Sequence, residues 1–194
     1  MPGTVGAMAT VHERITPPVR EWIERQHLFF VATAPLAGDG HVNVSPKGLD
    51  TLRILDEMSV AYLDLTGSGA ETVAHLRENG RITLMFCAFD GPPRIVRLQG
   101  KGRVVRQGDA EWAALSERFD EHRGQRAVIV VDCDRIADSC GYSVPLFDYV
   151  GQRSKLTEWA DHRTDEELET YRSTKNARSI DGLPAFGGRE ARPS

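Results

Sequence analysis

From residue 28 to residue 65 the chain sets short apolar runs between turn residues: "LFFVATA", "HVNVSP", "LRILD" and "MSVAYLDL" are rich in β-branched and aromatic side chains. Runs of that length and composition predict strands, and "PLAGDGH" between the first two predicts a hairpin. Two early stretches switch to a helical rhythm. Thr16 followed by "PPVREWIERQ" is an N-cap with proline in the first turn, which predicts a short opening helix. Val73, Leu76 and Arg77 belong to a second helix over residues 70–79, ended by Gly80 as its C-terminal cap.

Beyond that cap, "RITLMFCAF", the long "RIVRLQGKGRVVR" and "AVIVVDCD" predict three more strands, the last apolar enough to be central in a sheet. Trp112, Leu115 and Phe119 recur at helical spacing within "DAEWAALSERFDE". Six or more short strands punctuated by glycine and proline, with helices only as inserts, predict a mainly β, antiparallel barrel. Residues 1–150 form this domain with its N-terminal helix. Residues 151–194, beginning near "LTEWADHRTDEELETYRSTK", are expected to be a helical C-terminal extension and flexible tail of the same domain.

Length and charge narrow the function. At 194 residues one domain with a substantial core is expected, and 40% hydrophobic with 27% charged residues is ordinary for a globular protein. A net charge of −4 argues against a general nucleic-acid binder, which needs a basic surface. No apolar run reaches membrane-spanning length and the start lacks a signal pattern, so a cytoplasmic protein is expected. Cys87, Cys133 and Cys140 are widely spaced without C-x-x-C, and the histidines show no ligand spacing; no metal site is expected.

The run "DLTGSGAETV" (residues 64–73) sits where a strand stops and a helix begins. Such a turn presents unpaired backbone N–H groups at the positive end of the helix dipole, a natural cradle for a phosphate. Ser68 and Thr72 add hydroxyls, and Gly67 and Gly69 let a ligand approach the backbone. A tight turn with a hydroxyl cap explains the same residues, and a dinucleotide fingerprint would need a strand and helix alternation that is missing. In "RIVRLQGKGRVVR" a period of two puts Arg97, Gln99, Lys101 and Arg103 on one face. That face is either solvated or, at Arg97 and Gln99, turned to an anion held by the glycine turn, which requires the two strands to be neighbours. Lys47 in "NVSPKG", with Ser45 beside it, is a third basic candidate.

Taken in order, "NVSPKG", "YLDLTGSGAETVAHLRENGRITLMF" and "PRIVRLQGKGRVV" resemble the pyridoxamine 5′-phosphate oxidase-like family of FMN-binding split-barrel proteins, over roughly residues 25–135. The resemblance implies a six-stranded split barrel that forms a homodimer with two flavin sites at the subunit interface. It implies that Ser45, Pro46, Lys47 and Gly48 line the flavin, and that the segment from Asp64 and Leu65 through Ser68 and Gly69 to Thr72 receives its phosphate and ribityl chain. Arg97 and Gln99 would contribute from the side, and Lys47 or Arg97 would supply positive charge.

The implied activity is an FMN-dependent oxidoreductase acting on a small molecule, possible donors including NAD(P)H. The family's tyrosine, arginine and serine substrate set and its C-terminal arginine-x-histidine are absent from "AEWAALSERFDEHRG" and "NARSIDGLPAFGGREARPS", so pyridoxamine phosphate is not the expected substrate. A deazaflavin-dependent reductase and a non-catalytic flavin- or haem-binding protein are the alternatives on the same fold. Around Cys140, Gly141 and Tyr142 the choice is between packing at a barrel edge or dimer seam and a cover over the other subunit's flavin; Leu156 and Trp159 are expected in the core.

Overall fold

The computed structural model describes residues 10–187. Its strands are β1 (Thr10–His12), β2 (Phe29–Thr33), β3 (Asn43–Lys47), β4 (Leu52–Ile54), β5 (Ser59–Leu65), β6 (Arg81–Cys87), β7 (Ile95–Val105) and β8 (Gln125–Ser139). Its helices are α1 (Pro17–Glu24), α2 (Glu71–Glu78), α3 (Trp112–Ser116), α4 (Lys155–Asp161) and α5 (Asp165–Lys175). All strand pairs are antiparallel, in the order β3-β2-β6-β7-β8-β5-β4, with β1 added to β8. β1 and β4 are three-residue additions to a sheet of longer strands, which curls into the expected split barrel.

The apolar patterning explains the curl. Along β8, Ala127, Ile129 and Val131 pack into a large core with Val19, Ile23, Val73 and Leu76 of α1 and α2, while Val128 and Val130 face a smaller core with Leu115 and Phe119. A strand buried on both faces cannot alternate with polar residues, so "AVIVV" is unbroken. Between Gln99 and Gly100 the β7–β8 register shifts. A Cβ on Gly100 would lie 2.0 Å from the Asp132 carbonyl oxygen, so only glycine fits this bulge.

The β2–β3 hairpin pairs Phe29 with Lys47 and Thr33 with Asn43. Its period of two turns Asn43, Ser45 and Lys47 to one side. α2 ends at Gly80, whose φ of 71° and N–H to the Leu76 carbonyl (3.1 Å) make the left-handed stop expected of it.

Two elements differ from expectation. α3 covers only Trp112–Ser116, because the chain tightens at its end: Arg118 and Phe119 N–H bond three residues back, and Arg53 donates to the Arg118 carbonyl (2.8 Å). The C-terminal chain does not leave the body at α5. Ala185 and Phe186 are buried in the larger core, so the chain beyond α5 folds back onto the barrel at these residues. Residues 1–9 and 188–194, including the end of the expected tail, lie outside the described residues. No helix among the described residues is long and apolar enough to cross a membrane.

Candidate functional site

A cleft of about 420 Å³ opens between β3, the end of β5, the glycine turn and the start of α2. Ser45, Pro46, Lys47 and Gly48 form one wall. Asp64, Leu65, Ser68, Gly69 and Thr72 form the facing wall, with Asn43, Gly67, Arg126 and Leu156 completing it. Sequence reasoning put Leu156 in the core; it is exposed at the cleft mouth, because α4 presents that position outward. Trp159 is half-buried and packs edge-on against Tyr171, 5.1 Å between ring centroids.

The charge of the cleft is built around Asp64, which is 2% exposed. Arg126 Nε donates to one carboxylate oxygen at 2.7 Å and Lys47 Nζ to the other at 3.4 Å. Burial pushes the Asp64 carboxyl up, but Arg126 and Lys47 outweigh it and hold the group below the usual carboxylate value. Two cations surround this buried carboxylate, and a second carboxylate at the cleft wall, Glu71, balances the formal charge. Glu71, at the start of α2, is engaged by the Ile180 N–H at 3.1 Å.

Arg126 was not singled out in the sequence. The signal available was an arginine opening an otherwise apolar central strand, a position where a charge persists only with partners. It has three: Asp64, the Asn176 side-chain oxygen at 2.8 Å and the Gly69 carbonyl at 2.9 Å.

A second network sets the hydroxyls. Asn43 Nδ2 donates to Thr33 Oγ1 (3.2 Å) and Thr72 Oγ1 (3.1 Å), and Ser45 Oγ donates to Asn43 Oδ1 (3.0 Å). Thr72 therefore accepts from Asn43 and keeps its own proton to donate, while Ser45 offers lone pairs. The cleft presents a donor at the helix start and an acceptor on β3.

The glycines of the turn are informative. Neither Gly67 nor Gly69 has a positive φ. A Cβ on either would meet nothing closer than 3.9 Å. The fold itself has room for a Cβ at both positions, and both positions line the cleft.

Arg97 and Gln99 are not in this cleft. β5 neighbours β4 and β8, and β8 separates it from β7, so the adjacency their role required does not exist within one chain. Arg97 instead donates to Ser139 Oγ (2.8 Å), and Gln99 accepts from Arg135 (2.9 Å). Tyr142 is 71% exposed and lies beside an apolar stretch with Leu146, Phe147 and Val150 also exposed.

The model of the pyridoxamine 5′-phosphate oxidase family matches residues 15–140. A pyridoxamine 5′-phosphate oxidase family protein of Aspergillus flavus, ustO, is 42% identical, the match covering 92% of this chain and 78% of that one. Among solved structures, HupZ of group A Streptococcus has a TM-score of 0.52 at 24% identity, covering 63% of this chain and 91% of HupZ. A putative pyridoxamine 5′-phosphate oxidase of Lactobacillus delbrueckii has a TM-score of 0.51 at 17% identity, covering 67% of this chain and 98% of that one. These structures share the fold.

Proposed function

The chain belongs to the pyridoxamine 5′-phosphate oxidase family, and from that premise we propose that it is an FMN-dependent oxidoreductase acting on a small molecule other than pyridoxamine 5′-phosphate. The observation that carries this reading is the pair of glycines in the turn: the chain has room for a Cβ at 67 and 69 and yet leaves it out, at the wall of a cleft whose hydroxyls and partly exposed lysine suit a phosphate.

When bound, the flavin supplies hydride chemistry. The chain's own part is to hold and orient it. Lys47 supplies the mobile cation, Thr72 and Ser68 the hydroxyl donors, and Pro46, Gly48, Leu65 and Leu156 the walls. Asp64 holds Lys47 and Arg126 side by side at the cleft against their mutual repulsion.

The functional unit is a homodimer with flavin sites between subunits. The exposed apolar stretch around Tyr142–Val150 supports a covering subunit, and Arg97 and Gln99, remote from the cleft of their own chain, are the groups that would reach the other chain's cleft. Three free cysteines suit a reducing compartment, the cytoplasm.

The test is the visible spectrum of the purified protein before and after FMN is added, followed by reduction with NAD(P)H. Flavin bands at stoichiometric amounts, bleached by the nucleotide, are expected. A colourless protein that ignores FMN overturns the reading; bound FMN that no donor reduces leaves a carrier.

A further inference from the structure

The C-terminal segment enters the cleft's construction chiefly through Asn176. Asn176, fully buried at the end of α5, donates through Nδ2 to the Gly67 carbonyl (3.0 Å) and accepts from Arg126 Nη1 (2.8 Å). Arg126 in turn donates to the Gly69 carbonyl (2.9 Å). Both glycine carbonyls of the turn are thus held by buried donors. The chain then folds back on the same residues: the Phe186 N–H bonds the Asn176 carbonyl (2.9 Å), and the Phe186 ring lies 4.8 Å from the Arg126 guanidinium.

The consequence follows from the planarity of the peptide. In a trans peptide the carbonyl of one residue and the N–H of the next point in opposite directions, and the described chain has no cis bond. Asn176 does not line the cleft, whereas Ser68 does. Holding the Gly67 carbonyl toward Asn176 therefore turns the Ser68 N–H the other way. A carbonyl left loose in a glycine turn could rotate toward the ligand and repel an anion; both carbonyls here are occupied, so the turn offers donors instead.

We propose that Asn176 and Arg126 are positioning residues that lock the glycine turn in its anion-accepting orientation, which makes the C-terminal segment a part of the phosphate end of the cofactor site. The inference rests on the flavin reading above and goes beyond it by assigning phosphate discrimination to the carbonyl contacts of Arg126 and to Asn176, which does not line the cleft.

The experiment titrates the full-length protein and its Asn176→Asp and Asn176→Ala variants with FMN and, separately, with riboflavin, which lacks the phosphate; thermal melts are recorded alongside. Asn176→Asp keeps the shape and an acceptor for Arg126 but removes the donor to Gly67, so it tests the lock even where Asn176→Ala folds poorly. The wild type is expected to prefer FMN. In Asn176→Asp the FMN dissociation constant should rise about tenfold, the scale of losing one charge-assisted hydrogen bond, with riboflavin affinity changed less than about twofold. A merely structural role would lower the melting temperature or weaken both ligands in parallel. An unchanged ratio of FMN to riboflavin affinity in a folded variant overturns the inference while leaving the flavin reading intact. A wild type that binds neither ligand overturns both.

Discussion

Asp64 decides the electrostatics of the cleft, because two cations share it and only one of them, Lys47, stands partly open to solvent at 23% side-chain exposure. Lys47→Ala should therefore weaken FMN binding by about 1.5–3 kcal/mol, the range for a hydrogen bond to a charged group, while the melting temperature moves little because Arg126 still satisfies Asp64. Equilibrium dialysis with a parallel melt checks both halves, and unchanged affinity would remove Lys47 from the site. The same carboxylate predicts a pH dependence. Its folded value is held below the ordinary 3.8, so the unfolded chain takes up its proton first as pH falls. Its stabilisation is complete above that value and is lost on acidification through the lower folded value. Denaturant melts below pH 4 should show this slope, and Asp64→Asn should flatten it. Lys47 was legible in the sequence because a turn lysine beside a serine stands out. Arg126 and Asn176 were not, because their roles come from contacts across 50 to 109 residues of chain that no local pattern records.

At the level of elements, the glycine at the β7–β8 bulge is demanded by the fold, in contrast to those of the turn. Gly100→Ala would drive a methyl into the Asp132 backbone, and a cost of about 3 kcal/mol, at the upper end of overpacking penalties, should appear as a lowered melting temperature. A variant as stable as the wild type would mean that the two strands are less tightly apposed than described. Element types were readable along most of the chain: the hairpin, the proline-started α1, the Gly80 stop and the doubly buried β8 all follow from patterning. Spatial order was not. The polar face of β7 could be read from its period of two, but nothing in that period says that β8 intervenes before β5, so the adjacency that would turn Arg97 and Gln99 to the glycine turn of their own chain is absent. α3 fell short for a related reason, since Arg53 from another part of the chain caps its end.

For the whole molecule, exposed apolar side chains are grouped within one short stretch, with Leu146 at 75% and Val150 at 98% exposure, and such a grouping suits a covering subunit. The expectation is a dimer, twice the 21.5 kDa chain mass by light scattering. A Leu146→Asp, Val150→Asp double variant should run as a monomer and lose FMN affinity with it, since each site is proposed to need both subunits. A monomeric wild type that binds FMN fully would contradict that arrangement.

The central claim is that the glycines of the turn serve a ligand and not the fold, and Gly69→Val tests it most directly. The Cβ position meets nothing within 3.9 Å in the chain itself, so the account predicts a variant that folds with a melting temperature close to the wild type and fails to take up FMN in equilibrium dialysis. Wild-type affinity for FMN in the folded variant would contradict it.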